Sequence, residues 1–139
     1  MKSGKIALIA ICFVLLSTSS YFVYQYYKPA KNIVAEKGIP LTAEYLYEKF
    51  SSNEQLANQL YLNKVLQVAG EVLDIKRTQQ GDDVIILKSA NPMFGTSCTL
   101  SSAETAQTKL KPGDKIIIKG ICTGYLTDVV LIRSVLVNA

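Results

Sequence analysis

The chain contains no histidine, which removes the commonest acid–base residue and metal ligand at neutral pH. Cysteine is scarce. Cys12, Cys98 and Cys122 are the only three, with no CxxC spacing between them, and two cysteines without a histidine make a poor zinc site. No Gly-x-Ser-x-Gly occurs, and Ser97, Ser101 and Ser102 have no base partner in the sequence. Gly113 and Gly120 belong to a turn and a strand rather than to a phosphate-cradling loop. Glu71 and Asp74 fall on opposite faces of one strand, so they do not form a carboxylate pair. Asp82 and Asp83 sit beside Gly81 as turn residues. Together these absences exclude the usual catalytic sets: the chain reads as a non-enzyme, with neither metal nor cofactor.

Charge of one sign is also missing from most of the chain. The formal net charge is +4, from 15 Lys and Arg against 11 Asp and Glu. Lys2, Lys5, Lys28 and Lys31 account for the whole excess, because residues 32–139 carry 11 of each sign. The basic character therefore belongs to the amino-terminal segment, and the remainder is neutral.

That segment is the most apolar part of the sequence. Residues 6–24 contain no charge, and as a helix these nineteen residues would span roughly 28 Å, the thickness of a bilayer core. Lys2 and Lys5 flank one side; Tyr24, Tyr26, Tyr27, Lys28 and Lys31 flank the other, as interfacial aromatics and snorkelling lysines do. Residues 1–27 read as a transmembrane anchor. The alternative is a signal peptide processed near Ser17 and Ser19. As an anchor it predicts a single-pass protein of a bacterial inner membrane, its carboxy-terminal domain in the periplasm.

Residues 28–40 read as a juxtamembrane linker ending in Gly38 and Pro40, and residues 41–61 as two short helices. Thr42 caps the first, along which Leu41, Tyr45, Leu46 and Phe50 recur; the second carries a stripe of Leu56, Leu60 and Tyr61. From Leu62 the period changes to two. Strands are predicted over 65–77, 83–87, 95–100, 115–123 and 128–137, with a helix from Ser101 or Ser102 through Leu110 between the third and fourth. Gly70 marks a sharp coil or bulge in the first of these strands. Five short strands and one helix over 62–139 suit a small closed barrel without exposed edges.

Four stretches carry a resemblance: TAEYLYEKFSSNEQLANQLY (42–61), YLNKVLQVAGEV (61–72), the CTL at Cys98, and LKPGDKIIIKGICTGYLTDVVLIRSVLV (110–137). Together they cover about three quarters of the chain, and the Lys-Gly-x-Cys-x-Gly-Tyr-Leu-x-Asp-Val-Val run is the most specific of them. The chain resembles the tRNA-anti-like group of OB-fold domains of Bacteroidetes-type bacteria, which often follow a signal or anchor. The resemblance implies a mainly β, five-stranded OB-fold barrel and, through the family's name, nucleic-acid binding. It supplies no catalytic residues.

The candidate contact residues are Tyr125, Leu126, Thr127 and Asp128, in the turn between the last two strands. Tyr125 either meets a partner there or folds back over the barrel mouth as a plug. Cys98 and Cys122 share the inward phase of their strands, as a disulfide or as two buried thiols. Single-strand binders use basic grooves and aromatic platforms. Beyond Tyr61 this neutral domain has only Phe94 and Tyr125. The sequence therefore predicts a membrane-anchored, non-enzymatic binding or structural module that engages a protein or envelope component, alone or as a subunit of a membrane complex. A single-stranded nucleic-acid-binding domain is the alternative.

Overall fold

The computed structural model describes residues 2–27, 32–101, 104 and 109–137. The chain divides into two compact units, Met1–Lys31 and Asn32–Ala139. In the first, helix α1 runs over Lys2–Tyr26 and buries none of its residues. By length and composition alone it can cross a membrane, its most apolar 18-residue stretch having a mean hydropathy of 2.3.

The second unit contains β1 (Ile39–Thr42), α2 (Ala43–Ser52), α3 (Glu54–Tyr61), β2 (Val65–Arg77), β3 (Asp83–Leu87), β4 (Thr96–Leu100), β5 (Lys115–Tyr125) and β6 (Val129–Val137). The strands lie in the order β1-β2-β3-β4-β6-β5, and β2 pairs again with β5. Omitting β1, the remaining five close on themselves in the order first, second, third, fifth, fourth. That is the OB-fold barrel. One long strand can meet both β3 and β5 because its halves pair separately: residues 65–71 with β5, residues 72–77 with β3. Gly70 lies at this crossover, where a side chain would press on Ala43 and Leu87 at 3.0 and 3.3 Å. The bulge itself falls later, between Val72 and Asp74.

Two expectations are corrected here. The stretch 28–40 is not linker to its end: Ile33 is buried, Gly38 abuts Gln67, and Ile39 and Pro40 belong to β1. Leu41 is likewise on this strand rather than on a helix. β1 runs parallel to β2, pairing Ile39 with Leu66 through Thr42 with Ala69. The second correction concerns α3, which turns Ala57 and Tyr61 inward and leaves Leu56 and Leu60 exposed. Small Ala57 lets the helix approach the barrel closely; the two leucines are too bulky for that face. The expected helix from Ser101 or Ser102 to Leu110 lies mostly outside the described residues.

Thr42 caps α2 by accepting the Tyr45 N–H at 3.2 Å, and Asn53 caps α3 by accepting that of Leu56 at 3.1 Å. Both helices close one barrel end with Leu46, Tyr47, Phe50 and Tyr61, which join Leu66, Ile85, Leu87, Ile118 and Leu131 in one core. Full burial of Leu46 or Phe50 is worth about 1.5–3 kcal/mol each. Among the described residues, every buried one lies within 32–137.

Candidate functional site

The turn predicted to make contacts divides into two parts. Tyr125 is held from inside. Its ring stacks on Phe50 at 5.9 Å and meets Tyr47 edge-on at 6.0 Å. A hydrogen bond with Tyr47, followed by burial, raises its hydroxyl pKa. Asp128 is engaged as well: its carboxylate accepts the Gly95 N–H at 2.7 Å, while Val129 donates to the Gly95 carbonyl at 3.0 Å. This double tie joins the loop before β4 to the turn before β6. Leu126 and Thr127 remain at the tip, with Leu126 84% exposed.

Cys98 and Cys122 point inward and are fully buried free thiols. The disulfide alternative is not formed, for a topological reason. Leu131 of β6 pairs with Cys98 on one side and with Cys122 on the other. Two strand spacings, roughly 9–10 Å, separate the cysteines, and a disulfide spans about 4.4–6.8 Å between Cα atoms. Burial pushes the Cys98 thiol up to about 12 and raises that of Cys122. Neither is poised as a nucleophile.

The charged residues sort themselves similarly. Arg77 pairs with Asp83 at 2.9 Å and Lys88 with Glu71 at 3.1 Å. Lys119 donates to the Val34 carbonyl at 3.3 Å. Among the described residues no group of His, Cys, Asp and Glu could hold a metal ion.

The outer face of β2, β3, β4 and β6 is a site that sequence reasoning did not assemble. Ile85, Cys98 and Leu131 point inward, so their neighbours point out. One outward row crosses the strands from Lys76 to Val84 to Thr99. Beyond Thr99, β6 bulges: Leu131 and Ser134 are both buried with two exposed residues, Ile132 and Arg133, between them. Arg133 adopts a φ of 51° there, a left-handed conformation that few non-glycine residues accept. The adjoining row holds Asp74, Ile86, Ser97 and Val130. The face is thus a band of β-branched and hydroxyl side chains, with Lys76 and Arg133 about three strand spacings apart, roughly 14 Å. It extends from the 78–82 loop to the 126–128 turn. Alternation marks its residues as outward-facing in the sequence, but only the register and the bulge bring the two cations onto one row.

No curated protein matches the chain in sequence. Among solved structures, a lipoprotein from Klebsiella pneumoniae subsp. pneumoniae, presumed to bind nucleic acid, is similar over 80% of this chain and 100% of its own, with 20% identity and a TM-score of 0.55. The yeast Stn1–Ten1 structure aligns with 76% of this chain and 65% of its own, at 13% identity and a TM-score of 0.45. The first likeness agrees with the barrel traced above. Residues 1–136 match the tRNA_anti-like family, and the chain belongs to that family.

Proposed function

We propose that the protein is a membrane-tethered binding module whose ligand, single-stranded nucleic acid, lies across the outer face of β2, β3, β4 and β6. The observation that carries this reading is the row from Lys76 through Val84 and Thr99 to the bulge at Arg133. Cations and hydroxyls are the side chains that meet phosphates and sugars, and β-branched residues offer apolar contact between them. The name of the Klebsiella relative supports the same ligand class. The face has no aromatic platform, so affinity rests on phosphate contacts, with weak sequence preference and steep salt dependence. Fluorescence anisotropy of residues 32–139 with labelled oligo-dT, from 50 to 200 mM salt, tests it. Binding that falls steeply with salt and weakens at least threefold in Lys76→Glu and in Arg133→Glu is expected. No binding at 50 mM salt would sink it.

The second reading is a protein or envelope component facing the periplasm, favoured by the charge neutrality of residues 32–139. A topology reporter fused at Ala139 separates the two. A cytoplasmic reporter brings nucleic acid within reach, whereas a periplasmic one favours the envelope partner.

A further inference from the structure

We infer, resting on the reading of α1 as a membrane span, that the outer face of β5 and β6 lies against anionic phospholipid headgroups. Ile118, Cys122 and Leu131 are buried in the core, so the residues next to them point out. Three cross-strand pairs form this face: Ile117 with Val137, Lys119 with Val135, and Ile121 with Ile132. Lys115 and Thr123 extend it along β5, and Arg133 adjoins Ile132 on the exposed bulge of β6. Charge is unevenly distributed here. Residues 32–139 are neutral, yet β5 and β6 carry Lys115, Lys119 and Arg133 and no acid. The acid opposite Lys115 is Glu71, which pairs with Lys88 at 3.1 Å. Lys119 donates to a backbone carbonyl, that of Val34, at 3.3 Å, which leaves its charge in place. Cations interleaved with aliphatic side chains suit an anionic bilayer surface. The strand-binding face differs, because it sets Asp74, Ser97 and Thr99 among its aliphatics; Arg133 stands on the border of the two.

The tether decides what covers this face. Only residues 27–31 separate the end of α1 from Asn32, where the barrel unit begins, and so short a stretch reaches roughly 20 Å at most. The chain joins the barrel on this side. The Val34 carbonyl meets Lys119, and Gly38 abuts Gln67, the partner of Lys119 in β2. Ile33 and Val65 are buried outside the main core, and Val65 pairs with outward-facing Ile121. Val34 itself is 69% exposed, adding an aliphatic side chain next to a cation. Within this strap Glu36 and Lys37 offset each other in charge. Each Lys or Arg near an anionic surface adds roughly fivefold to affinity, so three cations alone bind weakly. A short tether raises the local concentration to the millimolar range, and the weak contact then persists.

The test uses the full chain in lipid nanodiscs, carrying Cys12→Ser. Cys98 and Cys122 are buried, so Thr123→Cys or Gln80→Cys supplies one reactive thiol for a bimane label. Thr123 is exposed on β5, and Gln80 is exposed in the loop between β2 and β3. The discs contain headgroup-nitroxide lipid in either phosphatidylglycerol or phosphatidylcholine. In phosphatidylglycerol, bimane at position 123 should be quenched about threefold more than at position 80. Roughly half of that quench should disappear in phosphatidylcholine, at high salt, or when Lys115→Gln and Lys119→Gln are combined. Lys115→Gln alone, which keeps the Lys119–Val34 contact, should give a smaller loss in the same direction. Equal quenching at the two positions, or a quench at 123 indifferent to lipid charge, would overturn the lipid contact while leaving the anchor and the strand-binding face untouched. A chain that does not stay with the discs would remove the anchor, and this contact with it.

Discussion

Arg133 holds an exposed guanidinium in a conformation that costs an L-residue about 1–2 kcal/mol. Strain of this kind persists where it places a functional group. Arg133→Gly should therefore raise stability by about 0.5–1 kcal/mol in urea unfolding while weakening oligo-dT binding. A variant that loses stability would show that the arginine packs rather than presents. Cys98 makes the opposite kind of contribution, entirely internal. Its thiol ionises near 12 in the fold and near 9.0 otherwise. Below pH 9 both states keep the proton and the contribution is complete. From pH 9 towards 12 the unfolded chain loses the proton first, so stability falls by about 1.4 kcal/mol per pH unit for each such group. Cys122, Tyr61 and Tyr125, whose pKa values are also raised, act in the same direction. Urea midpoints between pH 8 and 10.5 should fall, less steeply in Cys98→Ala than in the parent. Reducing agent should leave the parent's midpoint unchanged, because no disulfide is present.

The elements differ in how far they could be read from the sequence, and in why. β2 and β3 were legible to their ends, since alternation and the Gly81 turn are local signals. So was the start of α2, because a threonine cap acts within three residues. Thr42→Ala should cost about 1 kcal/mol and lower the thermal midpoint without altering oligonucleotide binding. β1 was hidden. It is four residues long, contains Pro40, and pairs in parallel with a strand more than twenty residues away, so nothing nearby announces it. Large side chains misled the reading of α3, because Ala57 contributes to packing by being small. The link between the last two strands was legible as a turn. Its division into a locked Tyr125 and an exposed Leu126 was not, since the rings that hold Tyr125 come from α2. Asp128 shows the same limit, because its partner Gly95 lies 33 positions away. Asp128→Ala should cost about 1–3 kcal/mol by stranding the Gly95 N–H. It should also speed amide exchange in the 88–95 loop before the rest of the domain opens.

At the scale of the whole molecule, the decisive boundary is where the second unit begins. α1 buries nothing, whereas Ile33 and β1 are built onto the barrel. β1 covers the side of β2 that β3 leaves open, so the amino-terminal half of β2 would be an unpaired edge without it. Its own outer edge is short and carries Pro40, which has no N–H to offer a neighbouring chain. Two truncations separate these roles. Residues 32–139 should unfold cooperatively in urea, remain monomeric, and wash free of membranes in carbonate, while the full chain stays with the pellet. Residues 43–139 keep both capped helices' apolar faces and all five barrel strands, but lose Ile33, β1 and the oxygen that caps α2. They should be at least 3 kcal/mol less stable, or aggregate, through the exposed edge of residues 65–69 and the lost burial. Equal midpoints for the two fragments would return 32–42 to the status of a tether. Release of the full chain by carbonate, with an amino terminus near Tyr21, would make α1 a processed signal and the domain a soluble one.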